Sequence, residues 1–411
     1  FCQRKMAAKI ENNFYESLSE ALEAAADGDK IVLLQNAGIE NTLNIIKNNL
    51  TLDLNGFTVN KVGSGSVIVL GEEITFTLTD SSGNRATVTG GSAENGGGVY
   101  VGRGGTLFLS DVSVSKCSAQ NGGGVYLADG GKLSMNGSMI FGCTASGQGG
   151  AVAAYSGSTV DVGDNNELSE NVSGGDGGAI YADNSTVQVN GGSVFQYNRA
   201  ENYSGGAIYA KSNSSVTIGG YCTFSENTAE GNGGGVYAYN STVTMENGNV
   251  FLNKATYGGG IYIHASVFVM DDGEISNNTA SNFGGGIMVQ IDKAKSSATI
   301  NGGSVSGNIA ENEANGGGGI WVNGSSDYSA TLTVNGGHIS DNIAKNGYGG
   351  GIRVQNSYAY LNLNGGTIVG NSALRGGGVE NDGNMTVSGA PHVYANTLYS
   401  ENGEDNTINN I

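Results

Sequence analysis

A Gly-Gly-(Gly/Ala)-apolar tetrad returns eleven times along this chain, at intervals of 25 to 33 residues. Its apolar members are Val99, Val125, Val152, Ile180, Ile208, Val236, Ile261, Ile287, Ile320, Ile352 and Val379. A period of that length marks an array of stacked supersecondary units, each unable to bury its apolar face alone. Such a stack offers long repeated surfaces more readily than one deep pocket.

Each unit carries three strand signals. The first follows the glycines, as in Val99-Tyr100-Val101 and Ile261-Tyr262-Ile263. The second alternates apolar and polar residues, as in Val187-Gln188-Val189 and Leu361-Asn362-Leu363, the pattern of a strand with one buried face. An Asn-Gly-Gly turn often follows, as at Asn190, Asn301, Asn335 and Asn364. The third starts on an apolar residue, reaches Asn three positions later and a small residue two further on: Phe224, Asn227, Ala229. Strands this short, with no helical period between them, form a coil in which each pairs in parallel with its counterpart one period on. The fold class is therefore an all-β solenoid, a single parallel β-helix with three strands per rung. Parallel crossovers are right-handed in nearly all cases, so a right-handed coil is expected.

Asn171, Asn198, Asn227, Asn253, Asn278, Asn308, Asn342 and Asn371 share one register, and stacked amides donate and accept along the coil axis. Cys117 and Cys143 fill that register in the first two full rungs. As neighbours they are either buried thiols standing in for Asn or, where Cβ geometry permits, a disulfide.

In residues 12–26, Phe14, Leu18, Ala21, Leu22 and Ala25 recur at helical spacing before Asp27-Gly28-Asp29. A helix there covers the open end of the coil, whose unpaired edges would otherwise template aggregation. The expected organisation is an N-terminal segment with a capping helix over 1–30 and a β-helix over 31–395. A polar tail or partial cap occupies 396–411, and anchoring or targeting segments are expected outside the chain. The net charge of −19 argues against nucleic acid and anionic membrane surfaces as partners. No apolar run approaches a membrane span, so membrane attachment is expected only through an anchor outside this chain. No metal or cofactor motif is found, and a monomer is expected.

Gly177-Gly178-Ala179-Ile180 and Gly205-Gly206-Ala207-Ile208, interleaved with Phe195-Gln196-Tyr197-Asn198 and Phe224-Ser225-Glu226-Asn227, resemble the GGA(I/L/V) and FxxN repeats of chlamydial polymorphic membrane proteins. More broadly, residues 14–395 are similar to the repeat regions of bacterial surface adhesins. The resemblance implies a right-handed β-helix and an extracellular or cell-surface, adhesin-like passenger.

Candidate recognition residues lie in the register after the inward apolar residue, which points outward. They are Tyr100, Tyr126, Tyr181, Tyr209, Tyr237, Tyr262 and Trp321. An exposed aromatic strip would stack on sugar faces or a flat protein partner; alternatively the rings pack on one another and stabilise the stack. Two insertions, 292–297 and 323–329, lengthen the same corner beside Trp321, and insertions in repeat arrays gather on one face. The rival class is a polysaccharide lyase or glycoside hydrolase. It requires converging charged side chains, and the outward registers offer mainly Gly, Ala, Tyr, Thr and Ser, with Asp161, Glu170 and Glu226 and, at the end of the first-strand register, Arg353 and Glu380. Glu170 and Glu226, two rungs apart, would be separated by roughly 9–10 Å, at the upper limit for an inverting pair. His264, His338 and His392 share no register. The expected function is a non-enzymatic adhesin-like stalk that recognises a glycan or protein on a host or neighbouring cell. The enzyme and a purely structural spacer are the alternatives.

Overall fold

The computed structural model of the 411-residue chain describes residues 6–311, 316–400 and 403–410. The chain divides into two compact units, Phe1–Val194 and Phe195–Ile411.

The first unit opens with a short antiparallel pair, Ala8–Ile10 against Asn13–Tyr15. Ala8–Ile10 also pairs antiparallel with Lys30–Leu33. The helix is shorter than its sequence pattern, spanning Leu18–Ala24. Phe14, counted into that pattern, lies instead in the hairpin and is 56 % exposed, because strand pairing takes up its backbone. Ser17 caps the helix by accepting the Glu20 N–H at 3.1 Å. Leu18 and Ala21 are buried. From Lys30–Leu33, which pairs in parallel with Leu50–Asp53, the chain winds as a parallel β-helix.

In the second unit, the coil beginning at Ile261 shows the repeating plan. Its three main strands are Ile261–His264, Val267–Met270 and Gly273–Ser276, followed by a two-residue segment, Thr279–Ala280. Each pairs in phase with the next coil: Ile261 with Ile287, Phe268 with Ala298, Ile275 with Val305, Ala280 with Ala310. The short fourth segment is the tail of the third expected element, split off where the ladder Asn turns the corner. Ile261, Ile263, Phe268, Met270, Ile275 and Ala280 are all fully buried, so the two-residue alternation fills the lumen from every wall. Phe195 and Phe224 stack there, with centroids 4.6 Å apart.

The paired glycines answer two different constraints. Gly258 sits at φ +58°, a left-handed turn. Gly259 has ordinary backbone angles, but a Cβ there would lie 2.5 Å from the carbonyl oxygens of both Thr279 and Gly285 on the next coil. The first glycine turns the chain; the second lets two coils meet backbone to backbone.

Behind the glycines runs the asparagine ladder. Asn278 is fully buried. Its Oδ1 accepts from Asn253 N (3.0 Å) and Asn253 Nδ2 (2.9 Å). Its Nδ2 donates to Val250 O (2.8 Å) and Asn308 Oδ1 (2.9 Å). The same pattern continues through Asn308, Asn342 and Asn371 to Asn396, a member the repeat pattern had not included. Cys117 and Cys143 are buried free thiols. Cys143 keeps the ladder geometry: its N–H donates to Asn171 Oδ1 (3.0 Å) and its thiol to Val114 O (3.7 Å).

The far end is built from the polar tail. Thr397–Ser400 pairs antiparallel with Gly403–Ile408. The chain then returns to the last coil, where Gly378 N and Val379 N donate to Asn409 O and Asn410 O. These contacts satisfy backbone groups that an open edge would leave bare.

Candidate functional site

The residue before each ladder position occupies the left-handed region. Lys116, Glu170, Tyr197, Glu226, Leu252, Asn277, Asp341 and Ala395 have φ between 50° and 57°, and glycine stands there at 142, 307 and 370. This conformation costs an L-residue roughly 1–2 kcal/mol. The amide that follows helps hold the corner: Asn253 Nδ2 donates back to Phe251 O at 3.1 Å. Glu170 and Glu226, weighed as a catalytic pair, are therefore exposed corner residues of this turn, and Glu226 accepts a hydrogen bond from the Tyr197 hydroxyl (2.9 Å). Asp161 is half-buried beside Ser134. His338 and His392 are exposed, whereas His264 is packed among aromatic rings.

The outward aromatic register forms a stacked column in each unit. In the first, Tyr100 and Tyr126 stack at 5.4 Å and 7°. Tyr126 meets Tyr155 at 5.3 Å, and Tyr155 meets Tyr181 at 5.4 Å. Ala153 leaves a gap in this register, and Tyr155, two residues further along the same strand, fills it. In the second unit Tyr209 stacks on Tyr237 (5.0 Å), and Tyr262 meets Tyr237 edge-on (5.2 Å).

The column is not the exposed strip expected from sequence. Tyr100, Tyr126 and Tyr209 are half-buried, while Tyr181, Tyr237, Tyr262 and Trp321 are 3–7 % exposed. In the second unit side chains from outside the register help to cover the column: Tyr239, Tyr257 and Phe283, together with Tyr209 of the column itself, pack against the cluster Tyr237, Tyr262, Met288 and Trp321. Phe283 stacks on Trp321 at 5.4 Å. Tyr257 and Phe283 come from the turn preceding the glycines, a position the outward register does not include. A third long corner was also missed. Two residues link His264 to Val267, but 291–295, 324–329 and 356–358 join the corresponding strands in the next three coils.

Burial sets the ionisation of this layer. It raises the phenols of Tyr155, Tyr181 and Tyr262 well above their ordinary value. It lowers the His264 imidazole, against an opposing pull from Asp292. His264 Nδ1 lies 2.8 Å from the Tyr237 hydroxyl, and its ring stacks on Tyr262. Tyr239 donates to Asp292 in the first long corner at 2.7 Å.

Beside Trp321 the cover is incomplete. Asn232, Tyr257, Tyr262, Phe283, Met288, Gln290 and Trp321 line a cleft of about 350 Å³. One coil further on, Arg353 takes the place of the ring. It is 3 % exposed and ion-paired to Asp382, with Glu380 at 3.7 Å. Arg375 lies 2.5 Å from Glu380, and both guanidinium groups lie over the Tyr348 ring. The aromatic column thus passes into an ionic cluster in which two cations face two carboxylates.

With this geometry in place, comparison with known families locates the chain. Residues 215–398 match the right-handed β-helix region family. Residues 167–183 and 186–211 match the Chlamydia polymorphic membrane protein repeat. No curated protein and no solved structure matches significantly. The coil is right-handed, and over 167–183 and 186–211 its repeats are similar to those of the chlamydial polymorphic membrane proteins.

Proposed function

We propose that this chain is a non-enzymatic, adhesin-like β-helix passenger. It acts outside the cell or at its surface and recognises a glycan or protein on a host or neighbouring cell. The observation that carries this reading is the aromatic column on the outer face of the first strand. In the second unit it is walled by further rings, and the cover opens beside Trp321. Where it opens, rings held in place by their neighbours supply contact area at small entropic cost, which suits recognition. A polysaccharide-cleaving site would draw on free carboxylates held toward one point; Glu170 and Glu226 belong to exposed corners, and Glu380 and Asp382, which do converge, are ion-paired to Arg353 and Arg375. The repeat type, shared with a family of surface proteins, supports the same reading.

The test pairs a binding screen with a cleavage screen. The purified chain should bind a subset of immobilised glycans or intact cell surfaces, and should release no reducing ends or unsaturated products from a polysaccharide panel. Cleavage that is lost in Glu226→Gln would replace this reading with the enzyme. Absence of both binding and cleavage would leave a spacer.

A further inference from the structure

We infer that the cleft beside Trp321 is a subsite for one uncharged sugar ring of a neutral saccharide. This inference rests on the recognition reading above and names its ligand class.

The lining decides the class by its chemistry. Three aromatic residues besides Trp321 line the cleft: Tyr257, Tyr262 and Phe283. Tyr257 and Phe283, half-buried, present the accessible ring surface, with Tyr262, Met288 and Trp321 buried behind them, and such rings match the apolar C–H face of a pyranose. Every polar side chain in the lining is neutral: the amides of Asn232 and Gln290, two phenols and the indole. Among the described residues no Lys or Arg lines the cleft, and the chain carries −19 overall. A carboxylated or sulfated sugar would leave its charge unpaired there at high cost.

One group calls for a ligand. Trp321 is 3 % exposed, and its Nε1 has no hydrogen-bond partner among the described residues. A buried donor without an acceptor costs free energy, so an occupant whose acceptor reaches it as the covering ring of Phe283 shifts gains by supplying it. A purely hydrocarbon ligand would not; a sugar hydroxyl or ring oxygen does. Gln290 adds a second point of contact. Its Oε1 already accepts from the Tyr262 hydroxyl at 2.6 Å, which leaves Nε2 as the group for a sugar oxygen. The volume of about 350 Å³ falls at the low end of the ~300–1,000 Å³ range of ligand pockets, the scale of a ring rather than a long chain.

Trp321 is the chain's one tryptophan, so it reports on its own site. The experiment titrates the full chain with cellotriose, triacetylchitotriose and trigalacturonate. It follows intrinsic fluorescence and the single indole N–H resonance of the ¹⁵N-labelled protein. At least one neutral trisaccharide should shift both signals saturably, and trigalacturonate should not. Trp321→Phe keeps an aromatic ring and removes the donor; by calorimetry it should bind the same sugar at least tenfold more weakly while the β-sheet circular dichroism of the fold is retained. Equal or tighter binding of trigalacturonate would overturn the inference. So would an indole resonance that moves with a proline-rich peptide and with no sugar. If no saccharide moves it while the chain still binds glycan or cell surfaces, the cleft is not the subsite and recognition lies elsewhere. If surface binding is absent as well, the recognition reading fails with it.

Discussion

Asn278 is the sharpest test of the ladder, because its side chain makes four hydrogen bonds in a fully buried place. In Asn278→Ala the backbone N–H of Asn253 loses the acceptor it has at 3.0 Å. An orphaned buried donor costs roughly 1–3 kcal/mol, and each of the other broken bonds about 0.5–1.5 kcal/mol. Asn253 Nδ2 keeps Phe224 O and Phe251 O, and Asn308 Oδ1 keeps the Asn278 N–H, so those losses stay at the lower scale. The expected destabilisation is about 3–6 kcal/mol, a large part of a typical folding free energy. Asn278→Asp separates bonding from volume. One carboxylate oxygen still accepts from Asn253, but the other replaces a donor that faces Val250 O at 2.8 Å and Asn308 Oδ1 at 2.9 Å. Only the protonated acid can donate there, so its folded pKa is raised above the unfolded value of about 3.9. The native state then holds a proton that the unfolded chain releases. The deficit against wild type should be smallest below about pH 4 and should widen as pH rises through the folded value. Urea unfolding across this pH range, with hydrogen exchange at the amides of Asn253 and Asn278, measures both effects. An Ala variant within about 0.5 kcal/mol of wild type, the range of an ordinary surface change, would refute the ladder argument. So would an Asp variant whose deficit does not change with pH.

Other consequences are open to simpler measurements. Leu252 is 44 % exposed and held at φ 57°, so Leu252→Gly should stabilise by about 0.5–1 kcal/mol in urea melts; destabilisation would show that its side chain contributes more than the strain costs. Burial lowers the His264 pKa, so the unfolded chain takes up the proton first as pH falls. Stability should therefore drop below about pH 6.5, by no more than about 1.4 kcal/mol per pH unit for one proton, and His264→Gln should remove that component from the pH profile. Cys143→Asn should be tolerated or stabilising, since Val114 O and Asn171 Oδ1 already stand where a ladder amide would bond; a loss above about 2 kcal/mol, the scale of a disrupted core, would mean the thiol register differs from the amide one.

Much of this molecule can be read in one dimension. In a stack, the neighbour of a residue is the residue one period away, so the tetrads, the alternating strands and the asparagine register translate directly into Ile261 beside Ile287 and Asn278 beside Asn308. The terminal structures were legible only in part: the cap helix is real, but hairpin pairing claimed Phe14, and the polar tail returned to cover the last glycines. The left-handed corner before each ladder Asn left little trace, because only three of its positions are glycine and the neighbouring amide bonds hold the rest. The aromatic layer depended most on tertiary structure. The period placed Tyr237, Tyr262 and Trp321 on an outer face, but it could not tell whether that face is open. The answer came from side chains at other points of the coil: Phe283 on Trp321, and Tyr239 joined to Asp292 across 53 residues. Such contacts run between different corners rather than along one register. They depend on how far each corner projects and which way it turns, which the repeat period does not specify.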